Sequence, residues 1–133
     1  MLFNFQLKTQ KEGLVDITAE VTEAISESGV NEGICLVYCP HTTAAITINE
    51  NADPDVKSDF IAGFNKVFPD FETFRHAEGN SDAHIKSSVV GASETIIVTA
   101  GRPLLGTWQG VYFCEFDGPR NRKFYVKVMG DWK

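Results

Sequence analysis

No stretch of this 133-residue chain approaches the roughly 20 consecutive apolar residues that cross a bilayer. The N-terminus, MLFNFQLKTQ, lacks the basic start and continuous apolar run of a secretory signal. Cysteine is scarce: Cys35, Cys39 and Cys114 are odd in number and form no CxxC pair. A disulfide framework is therefore not expected, and a reduced, cytoplasmic setting is. Cys35 and Cys39 fall in an apolar, strand-like run, where cysteine behaves as a small buried hydrophobe. Positive charge is also short, with a formal net charge of −6 and a pI near 5.0. That is the wrong balance for a phosphate-backbone binder, so neither nucleic acid nor membrane is an expected partner. A small anionic ligand stays open, because one arginine or one helix N-terminus can hold a phosphate. Internal repeats, low-complexity tracts and linkers are missing too. With 43% hydrophobic and 23% charged residues, the expectation is one globular domain over residues 1–133.

What is present alternates between strand and helix periods. LFNFQLK sets Phe3, Phe5 and Leu7 against Asn4, Gln6 and Lys8, a half-buried strand. From Thr18 the spacing of Val21, Ala24, Ile25 and Ser28 fits one helical face, and Gly29 suits the position just past a helix. GICLVYC reads as a buried strand stopped by Pro40, and HTTAAITIN as a second strand rich in β-branched residues. In NADPDVKSDFIAGFNKVF, Asp53 can cap a helix, Pro54 suits its first position and Asp55 favours its positive end. Val56, Phe60, Ile61, Phe64 and Val67 then form an apolar stripe that reads as core. SDAHIKSSVVG predicts a short helix capped by Ser81 and ended by Gly91. ETIIVTA, GTWQGVYFCEF and RKFYVKVMG are three more strand-like runs, separated by GRP and DGPR turns. The fold class expected is α+β, with a mainly antiparallel sheet and two to three helices.

Histidine is rare, and all of it lies in two short stretches: His41 in CPHTTAA, and His76 and His84 in HAEGNSDAH. The spacing predicts His41 at a strand start, His84 in the first turn of a helix and His76 before a turn, places where functional groups are displayed. Imidazole ligates metals and titrates near working pH, so these three are candidate metal ligands, zinc first, or acid–base groups. Neither HExxH nor a Cys–His zinc pattern occurs, so spacing alone specifies no metal. Asn49 and Glu50 follow the strand after His41, and Glu78, Asn80 and Asp82 lie between the other two histidines. Carboxylates and amides so placed can orient imidazoles. Thr42 and Thr43 adjoin His41, and Trp108 and Gln109 stand between glycines ahead of an apolar strand. Glu115 falls inside that strand, where a carboxylate is costly unless paired. Arg75 and Arg120 are the candidates for holding phosphate.

HTTAAITINENADPDV, RHAEGNSDAH and GTWQGVYFCEFDGPR together resemble the YjbQ-type family, often labelled secondary thiamine-phosphate synthase enzymes. The resemblance runs from about residue 2 to residue 129. It implies a compact α+β domain that assembles as a homotrimer, with a polar pocket near subunit boundaries. It marks His41, His76, Asn80, His84, Trp108, Gln109 and Glu115 as site residues. The label implies a weak activity joining a pyrimidine diphosphate to a thiazole phosphate. The expected function is therefore a small-molecule enzyme on a phosphorylated substrate, with His41, Glu50, His76, Asp82 and His84 as catalytic residues. The alternative is a non-catalytic trimer that binds a metal or a small anion.

Overall fold

The computed structural model describes residues 1–132 and contains eight strands and three helices. The order is β1 Leu2–Lys8, β2 Gly13–Asp16, α1 Thr18–Ser28, β3 Val30–Tyr38, β4 Ala44–Glu50, α2 Pro54–Val67, α3 Ser81–Val90, β5 Ser93–Thr99, β6 Arg102–Pro103, β7 Gln109–Glu115 and β8 Asn121–Trp132. All pairings are antiparallel. One sheet has five strands in the order β1-β8-β3-β5-β6, and the other has three in the order β2-β7-β4. This is the α+β class that the alternating periods predict. No helix among the described residues is long and apolar enough to cross a membrane.

The two sheets face one another over the main core. Val37, Phe124, Val126 and Val128 come from the larger sheet and Ile46, Val111 and Phe113 from the smaller. Helix α1 adds Val21, Ala24 and Ile25 from one face, and Gly29 ends it in the left-handed conformation (φ 73°). The far side of the smaller sheet is covered by α2 and α3, where Ala45, Cys114 and Phe116 meet Phe60, Ile61, Phe64 and Val90. Strand β7 is thereby buried on both faces, which explains its continuous apolar run. All three cysteines are free and buried.

Four details depart from the sequence reading. The four-residue β2 and the two-residue β6 are too short to show a period. The strand after Pro40 begins at Ala44, so His41, Thr42 and Thr43 belong to the connection before it. Asp53 does cap α2, accepting the Asp55 N–H at 2.9 Å, but no residue of α2 is fully buried and Val67 is exposed. The stripe is a contact face and not a core helix. Asn80, not Ser81, occupies the cap position of α3, and its side chain does not cap; the amide is used elsewhere, as described below.

Strands β3 and β8 approach closely where the register slips between Val30 and Glu32. Gly33 lies opposite Gly130 there, and a Cβ on Gly33 would overlap the Met129 carbonyl. A Cβ on Gly63 of α2 would meet nothing within 4 Å among the described residues. Gly33→Ala should therefore cost about 1–3 kcal/mol through overpacking. Gly63→Ala should gain about 0.5–1 kcal/mol from helix propensity and chain entropy. Urea unfolding checks both, and equal effects at the two positions would contradict the close approach.

Candidate functional site

Glu115 is the last residue of β7 and is 1% exposed. Its side chain lies at one end of the gap between the sheets, where β8 supplies Arg122. Arg122 forks onto it, Nε donating to Oε1 at 2.8 Å and Nη2 to Oε2 at 2.5 Å. Thr9 donates its hydroxyl to Oε1 at 2.5 Å, and the Asp117 N–H donates to Oε2 at 3.0 Å. Arg122 Nη2 also donates to Thr43 Oγ1 at 2.8 Å. Burial by itself would raise the Glu115 carboxyl; the donors from Arg122, Thr9 and Asp117 outweigh it and hold the group below its ordinary range. The pair joins one sheet to the other and fixes Thr43 beside the connection that carries His41.

His41 is anchored from β8. Its Nε2 lies 3.0 Å from the Lys123 backbone nitrogen and 3.1 Å from the Lys123 carbonyl oxygen. Burial and the Arg122 charge push its pKa down. Nε2 faces both the N–H and the carbonyl of Lys123, and the tautomer decides which of them it pairs with.

A polar cavity of about 280 Å³ opens between this connection and the start of α3. It is lined by His41, Thr42 and Thr43 on one side and by Glu78, Asn80 and His84 on the other, with Arg120 and Arg122 closing it. The fold thus brings residues of CPHTTAA and HAEGNSDAH to one cavity. His84 stands 5.4 Å from His76, ring centre to ring centre and edge to face, and His76 lies outside on the exposed loop, 4.0 Å from Glu78. Arg120 is held by two carboxylates, Glu78 Oε2 at 3.0 Å and Asp117 Oδ2 at 2.9 Å. Burial alone would raise the Asp117 carboxyl; the Asn80 and Arg120 hydrogen bonds and the Arg120 charge outweigh it and hold the group below its ordinary range. Asn80, 7% exposed, donates through Nδ2 to Glu78 at 3.0 Å and to Asp117 at 2.6 Å. Its Oδ1 is buried with no partner among the described residues.

The remaining expected residues lie elsewhere. Asp82 pairs at 3.1 Å with the buried Lys86, which also bonds Asn65, so Asp82 is tied to a structural lysine. Arg75 is exposed and lines no part of the cavity. Strand β4 spans seven residues, and at about 3.3 Å per step its two ends are about 20 Å apart. Glu50 pairs with Gln109 at one end and Ala44 with Glu115 at the other. Glu50, Asn49, Trp108 and Gln109 therefore sit remote from the histidines of the same chain. Glu50 and the 63% exposed Trp108 line a separate hollow at the start of α2. Asn49 accepts the Glu50 N–H, and Gln109 Oε1 accepts the Gly106 N–H, both local turn contacts. The sequence reading missed Arg122, Thr9 and Asp117. The costly Glu115 was the available signal that a buried cation had to exist.

A metal set of His41, His76 and His84 does not assemble within one chain. Among the described residues no group of three His, Cys, Asp or Glu side chains is arranged to hold a metal ion. The physical reason is local: His41 Nε2 is already engaged by the β8 backbone, and His76 faces outward on its loop.

Two facing antiparallel sheets, with α1 packed on the core between them, α2 and α3 on the outer side of the smaller sheet and a polar histidine cavity at the end of the gap, define a small α+β protein. Comparison gives the family. A model of the family described as UPF0047 protein YjbQ-like matches residues 3–131, and the chain belongs to that family. It is 63% identical over 132 residues to the UPF0047 protein MJ1081 of Methanocaldococcus jannaschii, covering 98% of this chain and 96% of that one. It is 58% identical to the UPF0047 protein YugU of Bacillus subtilis, covering 98% and 100%. The crystal structure of a YjbQ/UPF0047 family protein from Clostridium acetobutylicum matches with a TM-score of 0.94 at 54% identity, covering 96% of this chain and 99% of that one.

The depressed Glu115 carboxyl yields a prediction with a definite sign. Its stabilisation is complete above the unfolded value of about 4.3 and is lost as pH falls through the lower folded value. Arg122→Met alone should cost about 3–5 kcal/mol by leaving a buried charge unpaired. Adding Glu115→Gln should recover part of that loss and flatten the acid side of the stability profile. Urea unfolding across the acid range reads both effects, and an unchanged acid slope in the double variant would contradict the assignment.

Proposed function

We propose that this protein is a small-molecule enzyme acting on a phosphorylated substrate in the cavity between His41 and His84. The observation that carries this reading is the convergence of two histidines, two threonines and two arginines on one polar space of about 280 Å³. His84 is the acid–base group of the proposal, since neither of its ring nitrogens has a hydrogen-bond partner among the described residues. His41, fixed by β8, positions the substrate. Thr42 and Thr43 supply hydroxyls. His76 meets His84 edge to face and helps orient it. One specific form is the thiamine-phosphate synthase reaction, a group transfer in which a thiazole nitrogen bonds to the pyrimidine methylene carbon while the C–O bond to diphosphate breaks. The leaving oxygens gain charge, which imidazolium and guanidinium groups offset.

Self-association as a homotrimer is part of the proposal. The outer face of the larger sheet supports it, because no element among the described residues packs on Leu2, Ile34, Tyr38, Ile97 and Met129, all exposed. Association would also offer a route for the Glu50–Trp108 end of one subunit to approach the histidine end of another. A divalent metal, zinc first, would need a donor beyond those that one subunit brings together. The three free, buried cysteines support a cytoplasmic setting.

A non-catalytic binding module is the competing reading, and His84→Ala separates the two. An enzyme should lose about 10²–10⁴-fold in turnover of the pyrimidine and thiazole phosphates while its affinity changes little. His76→Ala should lose less. A change in affinity alone, with no turnover in wild type, favours the module.

A further inference from the structure

Two arginines line the cavity, and neither is free. Arg122 is buried and forked onto Glu115, whereas Arg120 is exposed and shared between Glu78 and Asp117. These two carboxylates do not hold Arg120 equally. Asp117 takes it twice, its carbonyl oxygen accepting from Nε at 2.7 Å and its carboxylate from Nη2 at 2.9 Å, with the side chain 27% exposed. Glu78 takes it once, at 3.0 Å, from a side chain 56% exposed on the loop before α3. An ion pair that open to water contributes little. Glu78 is therefore the partner that an incoming anion displaces, while Asp117 keeps Arg120 in place.

Asn80 stands at the N-cap of α3, where asparagine is among the best acceptors for the N–H groups of the first turn. It does not serve there, and no side chain caps α3. Its Nδ2 instead donates to Glu78 at 3.0 Å and to Asp117 at 2.6 Å, which leaves Oδ1 buried with no partner among the described residues. An uncapped helix start and an orphaned buried acceptor thus meet in one residue. One movement cures both. Turning Oδ1 onto the first-turn N–H groups of α3 supplies the cap and satisfies the oxygen, and it draws Nδ2 away from Glu78. Gly79 separates the two residues in the left-handed region (φ 78°), and a Cβ there would meet nothing within 4 Å among the described residues, so the backbone between them has room to turn.

We propose that Glu78 and Asn80 form a two-position switch that couples anion binding at Arg120 to the helix carrying His84. Without ligand, Glu78 occupies both Arg120 and the Asn80 amide, and α3 starts uncapped. A phosphate takes Arg120 in place of Glu78, and Asn80 then caps α3 through Oδ1. His84 is the fourth residue of α3, next to the turn that the cap orders. Glu78 is a resident competitor for the anion, and Asn80 is a positioning residue that acts through α3. The switch rests on the phosphorylated-substrate reading above.

Two measurements with inorganic diphosphate test it: calorimetric affinity, and amide hydrogen exchange over residues 78–86. They compare wild type with Glu78→Ala, Asn80→Ser and Arg120→Ala, each checked for folding by thermal melt. Wild type should bind diphosphate and gain about fivefold protection in the first turn of α3, the usual worth of a cap. Glu78→Ala should bind about three- to tenfold more tightly, because an exposed ion pair and a like charge no longer compete. It should also show the protection before diphosphate is added. Asn80→Ser keeps a capping oxygen and lacks the amide, so it should be protected without ligand and gain nothing more. Arg120→Ala should lose binding and response together. Glu78 is exposed, so its variant keeps the fold and the test stands even if Asn80→Ser does not fold. Binding that needs Arg120 but is not tightened in Glu78→Ala, or that leaves the first turn of α3 unchanged in wild type, would overturn the switch and leave the phosphorylated-substrate reading intact. Failure of both wild type and Glu78→Ala to bind diphosphate at millimolar concentration would overturn both.

Discussion

Everything about the site depends on the buried pair of Glu115 and Arg122. A carboxylate at 1% exposure is tolerated only if charge and hydrogen bonds replace water, and Glu115 receives the Arg122 fork, the Thr9 hydroxyl and the Asp117 N–H. Each partner comes from a different part of the chain. Thr9 follows β1, Asp117 follows β7, Arg122 belongs to β8 and Thr43 precedes β4. One polar knot therefore holds together the ends of both sheets. An apolar replacement of similar volume would hold the sheets as well, but it would not aim Thr43 or set the charge felt by His41.

The cavity inherits its character from that knot. Burial and the Arg122 charge both lower the His41 pKa, and its Nε2 rests on the β8 backbone. Asp117, two residues beyond Glu115, fixes Arg120 and the Asn80 amide. Asn80 then leaves its oxygen without a partner at the mouth of α3, which delivers His84. Glu115 and Arg122 balance one another, whereas Arg120 faces the two carboxylates of Glu78 and Asp117, so no arginine of the cavity is left with an unshared charge.

Much of this was legible in the residues. The alternation in β1, the helical spacing of α1, the Asp53–Pro54 start of α2 and the closing Gly91 all fell where local chemistry dictates. Grouping of His41 with His84 followed from motifs alone. What was hidden depends on pairing across the chain. Arg122 looks like any arginine in a polar–apolar strand until β8 is laid beside β1 and β3. Asp82 looks catalytic until Lys86, one helical turn later, is found buried. Glu50 and Trp108 looked like neighbours of the histidines, yet antiparallel pairing of β4 with β7 sends them to the opposite end of the smaller sheet. The stripe of α2 carried the right period for a core helix, but the edge of the domain leaves it half covered. A hydrophobic period reports a contact face, not the depth of its burial.

The central claim is that His41 and His84 serve one pocket. Three histidines make the test simple. The protein labelled with ¹⁵N only at histidine is titrated with inorganic diphosphate and followed by NMR, with signals assigned through His41→Gln, His76→Gln and His84→Gln. A shared pocket requires the His41 and His84 signals to move together with one half-saturation point. Movement of one without the other, or at separate concentrations, would show two unrelated histidines and contradict the single site.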